Sequence, residues 1–271
     1  MNERVTIHVS SRDRHSELAL LLLSLKYQTY QYFDILILDD ASGTPIGNAH
    51  FLNCIINQLK LEGHCIDTIR NNNSFGVCYA RNLLLEKDEF NNPYICRLDD
   101  DVYLSPDYLE RLINVINRGY DIASGVTPTQ LNPAIKRSTK FIKPIINEIK
   151  FDTEGNITKF GDDCGYMYIE DEVISAHHFR SCALYKKDID IKYERGLSKI
   201  GFREESFFSL RALWKGYKIG VDTQAIAYHL RTPSGGCRAN DYAQLIAGDD
   251  FIFSKWVKRQ FKTKGNPLEA K

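Results

Sequence analysis

The sequence of 271 residues carries no net charge, 35 basic residues offsetting 35 acidic ones. Proteins that grip nucleic acid or lie on anionic membranes hold an excess of Lys and Arg, so nothing global points to either partner. Long hydrophobic runs are missing as well. The apolar stretch Leu18 to Leu23 is far shorter than the ~20 residues that span a bilayer. Met1-Asn2-Glu3-Arg4 leads directly into a strand pattern and does not read as a signal peptide. The seven cysteines (Cys54, Cys65, Cys78, Cys96, Cys164, Cys182, Cys237) include no CxxC pair, and several fall inside apolar segments. That usage suits free thiols in a reducing compartment, and the expectation is a soluble, cytoplasmic protein. No internal repeat or low-complexity segment is present, and the length suits one catalytic domain with a tail.

What is present alternates in period. Val5, Ile7 and Val9 alternate with Thr6 and His8 as a strand does, and the Leu-rich stretch Ser16 to Lys26 reads as a helix. Phe33 to Leu38 is an apolar run of the kind that forms a buried parallel strand, ending in Asp39-Asp40 and a Ser-Gly turn. Thr44 as cap and Pro45 at the first helical position predict a helix that stops at Gly63. A strand at Ile66 to Ile69, a helix through Ala80 to Leu85 and a strand at Tyr94 to Leu98 follow. Ser105 with Pro106 then opens a further helix, and Ile122 to Val126 is one more strand. The fold class is therefore α/β, an open and mainly parallel sheet whose strands deliver carboxylates to one edge. After Thr127 the pattern changes: a hairpin around Asp152 to Asn156, a β-rich stretch Val173 to Tyr185, a helix Glu204 to Lys215, and strands through His229.

Chemistry concentrates in the acids. Asp99-Asp100-Asp101 at a strand end gathers more negative charge than a fold holds without a cation, unless it is a solvated acidic turn. Oxygen ligands suit Mg²⁺ or Mn²⁺, ions that bridge the phosphates of a nucleotide diphosphate. Asp39-Asp40 is placed to bond a base or ribose, although Asp-Asp-Ala-Ser-Gly is also an ordinary turn.

Taken together, Val5 to Ser10, Gln28-Thr29, Ile35 to Ser42, Asn73, Gly76 with Ala80-Arg81-Asn82, and Leu98 to Asp101 resemble the ordered motifs of family 2 glycosyltransferases of the GT-A fold. Gly201 to Glu205, Leu210-Arg211, Gly216 to Lys218 and Tyr228-His229 are similar to the family's late acidic motif and terminal histidine, so the resemblance runs over about residues 4 to 230. It implies a nucleotide-sugar-binding half at 1–127, an acceptor-binding and catalytic half of the same domain at 128–230, and a loop with a C-terminal helix at 231–271. On the donor side it implies Ser10, Asp40, Arg81, Asp99 and Asp100. For the metal it implies Asp101 with Asp99 and His229, an isolated strand histidine otherwise being a packing residue. Glu205, or Glu204 in its place, is implied as the base that deprotonates an acceptor hydroxyl in an inverting displacement, whereas read alone the two are helix-start acids favoured by the dipole. His177, His178 and Arg180 lie on the stretch that usually faces the acceptor, and are equally ordinary surface residues when read alone.

The sequence departs from the family with Ser10-Ser11 where Pro is common and with Glu-Glu where Glu-Asp is usual. Arg231 to Gly236 reads as a loop over the donor or as a plain linker. The last helix, with Phe253, Trp256 and Val257 and a basic end, is suited to docking on the domain, to pairing subunits or to facing an anionic acceptor. The implied partners are a nucleotide-diphosphate sugar and a hydroxyl acceptor: a glycan, a lipid-linked sugar, a protein or modified nucleic acid. A nucleotidyltransferase would need a Gly-rich, Arg- or Lys-bearing triphosphate loop after the first strand, which is missing. A non-catalytic nucleotide-sugar-binding module would have no use for an intact metal site and base.

Overall fold

The computed structural model describes residues 3–129, 145–161, 173–237 and 241–269, and the backbone of 135–136 and 167–168; Cys164 lies outside them. The first half is built from β1 (Val5–Ser11), α1 (His15–Lys26), β2 (Phe33–Asp39), α2 (His50–Leu61), β3 (Ile66–Arg70), α3 (Val77–Lys87), β4 (Tyr94–Asp99), β5 (Val102–Leu104), α4 (Tyr108–Asn117) and β6 (Ile122–Val126). The second adds β7 (Ile135–Lys136), β8 (Ile145–Ile146), β9 (Ile149–Phe151), β10 (Ile157–Phe160), β11 (Met167–Tyr168), β12 (Val173–Ala176), β13 (Ala183–Lys186), α5 (Glu204–Trp214), β14 (Ile219–His229) and α6 (Tyr242–Lys264).

A ten-stranded sheet runs in the order β3-β2-β1-β4-β13-β6-β14-β12-β8, with β5 pairing β14 to one side. The first four strands of that order are parallel, and β2, buried along its whole length, has the nearly continuous apolar run expected of such a strand. Their register sets Ser10 opposite both Leu38 and Asp99, and Ser11 opposite Asp39. Side chains at the carboxyl ends of β1, β2 and β4 therefore share one rim. β13 comes from far along the chain to lie antiparallel between β4 and β6. Helices cover both faces. One core packs Leu18, Leu21, Leu22 and Leu25 of α1 and Leu52 of α2 with Leu109 and Leu112 of α4. The other gathers Phe208 and Ala212 of α5 under Ile95, Ile122 and Val221. A smaller cluster of Phe207, Leu210, Phe253 and Val257 seats α6 on α5. The hairpin β9-β10 forms where the sequence predicts it.

Two predicted helix starts move. Pro45 has φ −57° and ψ 143°, which is extended, and a single 3-10 turn follows before α2 begins at His50. The chain is held out of the helix because Asp39 takes the backbone N–H groups of Ser42 and Ile46 at 2.9 and 3.0 Å. Likewise α4 begins at Tyr108 rather than at Pro106, because Ser105 Oγ accepts the N–H of Ile226 at 3.2 Å and a short strand, β5, precedes it.

β14 carries the feature that matters most for the site. Against β6 its register jumps between Val221 and Ile226, while β6 advances only from Ser124 to Val126. The excess residues bulge, the strand bends, and its end leaves the main sheet to pair with β5, bringing His229 opposite Val102. Gly125 sits under the bulge, where a Cβ would run into the backbone of Ala225. Among the described residues six cysteines are free, and no helix is long and apolar enough to cross a membrane.

Candidate active site

The rim of the sheet opens into a cavity of about 560 Å³ lined by Ser10, Asp40, Arg81, the acidic triplet, Glu204, Glu205 and His229. Asp39 and Asp40 divide their labour by strand alternation. Asp39 points into its own loop, where Ser42, Ile46 and Arg70 bond it; these bonds outweigh the cost of burial and hold its carboxyl below the usual range. Asp40 faces the cavity, oriented by Asn71 Nδ2 at 2.8 Å and Ser74 Oγ at 2.5 Å.

At the end of β4 the three acids have three environments. Asp99 accepts a bond from Arg81 Nη2 at 2.8 Å; burial opposes its charge, but Arg81 and Arg97 outweigh burial and hold it well below the normal carboxylate range. Asp100 is buried and accepts Arg14 Nη1 at 2.9 Å, and burial wins over that partner, pushing its pKa up to about 6. Asp101 Oδ1 lies 3.1 Å from His229 Nε2. Its Oδ2 is 3.1 Å from Arg14 Nη1 yet receives no hydrogen bond. A buried carboxylate oxygen without a hydrogen bond, in a residue 2 % exposed, has a lone pair that can ligate a cation. Asp99, Asp101 and His229 each offer an atom, all within 4.8 Å of one another. Two carboxylates and an imidazole form a donor set that fits Mn²⁺ and accommodates Mg²⁺. Burial pulls the His229 pKa down, but the bond to Asp101 and the charges of Asp101 and Asp99 outweigh it, and the imidazole titrates above its ordinary value.

The two glutamates at the start of α5 part company. Glu204 is 3 % exposed. It is gripped by Arg81 Nη2 at 3.0 Å and Arg97 Nη1 at 2.7 Å, and burial still pushes it up to about 7 against those two cations. Glu205, half-buried, lines the cavity and among the described residues has one weak side-chain partner, the N–H of Ser181 at 3.4 Å. Of the acceptor-side candidates, His178 and Arg180 line the cavity and His177 does not. The His177 ring instead lies on the edge of β9, its Nδ1 3.0 Å from the Ile149 N–H and 3.1 Å from its carbonyl. His178 stacks on Phe160 and shares a 2.6 Å hydrogen bond with the Gly161 carbonyl.

Sequence reasoning missed two arginines. Arg97, in mid-strand, is 2 % exposed. It bonds both Glu204 and the carbonyl of Ser181, a residue at φ +56°. A charge inside the apolar run Tyr94-Ile95-Cys96-Arg97-Leu98 was the available signal, since a buried cation demands a partner. Arg14 sits just before α1, joining Asp100 and Asp101 to the carbonyls of Ser234 and Thr232 at 3.1 and 3.4 Å. Gly235 and Gly236 lie so close that a Cβ on either would meet its side chain. The loop 231–236 is thereby tied over the triplet.

Solved structures with this architecture include S. aureus TarS residues 1–349 (TM-score 0.58, 16 % identity, covering 99 % of this chain and 75 % of that one). The same segment of TarS in complex with UDP-GlcNAc gives TM-score 0.60 at 15 % identity, covering 99 % of this chain and 76 % of that one. GalNAc-T7 with UDP, GalNAc and Mn²⁺ gives 0.64 at 13 % identity, over 90 % of this chain and 48 % of the other. At such identities the likeness is one of fold, here GT-A. No curated protein matches by sequence. The sequence profile of Glycosyl transferase family 2 matches residues 6–193, well over half of the chain, and the protein belongs to that family.

Proposed function

We propose that the protein transfers a sugar from a nucleotide-diphosphate donor to an acceptor hydroxyl, with inversion at the anomeric carbon and with a divalent cation held by Asp99, Asp101 and His229. The observation that carries this reading is that the three ligand atoms and the half-buried carboxylate of Glu205 face one cavity, while Glu204 is held by Arg81 and Arg97. The structures of similar fold with UDP-GlcNAc, and with UDP and Mn²⁺, support the donor class and the metal.

Asp40, with both oxygens already oriented, and Ser10 receive the nucleoside at the ends of β2 and β1. Arg81, paired with both Asp99 and Glu204, lines the cavity beside the diphosphate and offsets negative charge there. When bound, the cation supplies positive charge to the departing nucleotide diphosphate. Glu205 takes the proton from the acceptor hydroxyl as that oxygen attacks, and Arg180 and His178 flank the acceptor side. Glu204 positions Arg81 and does not exchange protons with the acceptor.

The test uses a panel of nucleotide-sugars, UDP-GlcNAc and UDP-GalNAc among them, with Mn²⁺ titrated calorimetrically. Asp101→Asn and His229→Ala are expected to weaken Mn²⁺ binding by at least tenfold. Glu205→Gln is expected to leave donor binding intact and lower transfer by roughly 10² to 10⁴. Wild-type Mn²⁺ affinity in the Asp101 variant, or full transfer by Glu205→Gln, would sink the assignment.

A further inference from the structure

The segment that delivers Glu205 is held from the far end of the chain. Residues 198–203 make two successive turns, with Gly201 N–H on the Ser198 carbonyl and Glu204 N–H on the Gly201 carbonyl, both at 3.0 Å. Gly201 has φ +62° and Arg203, the residue before α5, has φ +72°. A left-handed arginine is a conformation the surroundings must impose. The imposing groups belong to α6. Asp249, 1 % exposed, accepts the Ser198 N–H at 2.7 Å, the Ser198 hydroxyl at 2.8 Å and the Phe202 N–H at 2.8 Å. Beside it Asp250 takes Arg203 Nε at 2.7 Å, and the Arg203 guanidinium lies 4.1 Å from the centre of the Phe160 ring. On its other side the segment closes against α3. The Val77 N–H bonds the Lys199 carbonyl at 3.0 Å, and a Cβ on Gly76 would come within 2.6 Å of Lys199 Cα. Ile200 to Arg203 form part of the cavity wall.

We infer that Asp249 is a positioning residue for the base, fixing segment 198–203 and through it Glu205, so that this one turn of α6, a helix beyond the residues matched by the family profile, bears on catalysis. The inference rests on the assignment of Glu205 made above. The alternative is that α6 merely adds core area through Phe253 and Val257, and the two differ in what a variant does once it is folded.

Asp249→Asn keeps the volume and replaces one acceptor oxygen with a donor facing donors. Val257→Ala weakens the docking of α6 through apolar contact alone. Both are compared with the wild-type full chain at a temperature where all three are folded, by amide hydrogen exchange, donor dissociation constant, and kcat and KM for the acceptor. Asp249→Asn is expected to speed exchange across residues 198–205 and lower kcat roughly 10- to 100-fold, the cost of a base displaced by about an ångström. Donor affinity should stay within about twofold, because among the described residues Asp40, Asp99, Asp101 and His229 are bonded to groups outside the segment. Val257→Ala should leave kcat of the folded protein unchanged. Ser198→Ala, which removes one of the three donors, should fall between. Equal kcat in Asp249→Asn and Val257→Ala, or unaltered exchange at 198–205 in the former, overturns the inference. If the wild type transfers no sugar at all, the proposed function fails, and the exchange comparison still decides whether Asp249 holds the segment.

Discussion

Replacing Arg97 by Met is the most severe single change the site's foundations offer. The side chain is 2 % exposed and its partner Glu204 4 %, so the pair sits where neither water nor salt can substitute for a lost ion. Methionine fills much of the arginine's aliphatic volume, leaving the loss mainly electrostatic. Glu204 keeps only Arg81, and the carbonyl of Ser181 loses its donor. Removing one partner of a buried pair costs about 3–5 kcal/mol, which corresponds to a fall in melting temperature of roughly 5–9 °C for a domain of this size. The loss also has a pH signature. Glu204 already titrates near 7, above its unfolded value of about 4.3, because burial disfavours its charge. Without Arg97 that value rises further. A group whose folded pKa is raised contributes stability below the unfolded pKa and loses it as pH rises through the folded one. Arg97→Met should therefore be more destabilising at pH 8 than at pH 5. Adding Glu204→Gln removes the orphaned charge, and the double variant should regain about half of the loss or more. Urea unfolding at the two pH values measures all three quantities. A single variant within about 1 kcal/mol of wild type, or a pH-independent difference, would show that the pair does not bear on the fold as argued.

Asp39→Asn should destabilise at pH 7, since burial of the carboxyl is outweighed by bonds from Ser42, Ile46 and Arg70 and its pKa is lowered. The penalty should shrink as pH falls below about 3.9 toward the folded value, where the wild type loses the same contribution; chemical unfolding from pH 7 to 3 checks it, and a constant gap refutes it. Gly125→Ala pushes a methyl into the backbone of Ala225 under the β14 bulge and should cost about 1–3 kcal/mol. Because the same bulge carries His229 toward Asp101, the variant should also weaken the Mn²⁺ binding proposed above, measured by calorimetry on the folded protein; unchanged affinity would separate the bulge from the proposed metal site.

The parts of the fold visible in the sequence are those with a local cause. β2 reads as a buried parallel strand because its apolar run is nearly continuous, β1 shows as a strand through its alternation, and the acids of β2 and β4 lie at one rim because parallel strands end together. The start of α2 misled because a proline after a capping residue is a helix signal only if the preceding loop is free, and here Asp39 claims its N–H groups. Arg14 left a faint trace, a cation next to a helix start, where the dipole favours acids. The separation of Glu204 from Glu205 had none. Their distinction lies in two arginines, 123 and 107 residues upstream of Glu204, that pack beneath one and not the other.

The place of β13 has a consequence for the order in which the chain is made. Residues 183–186 fill the slot between β4 and β6, strands completed by residue 126. Until they arrive, two strands of the first half face each other across a gap, with hydrogen-bonding edges open on both sides. Nor is β6 supported on its other side before β14 follows at residue 219. An emerging polypeptide of about 180 residues thus holds the acidic triplet on a sheet that cannot yet close. Its long-range pairings are loop closures that come late and slowly. A fragment cut after residue 127 carries the same open edges permanently, so residues 1–127 made alone are expected to associate through the free edges of β4 and β6.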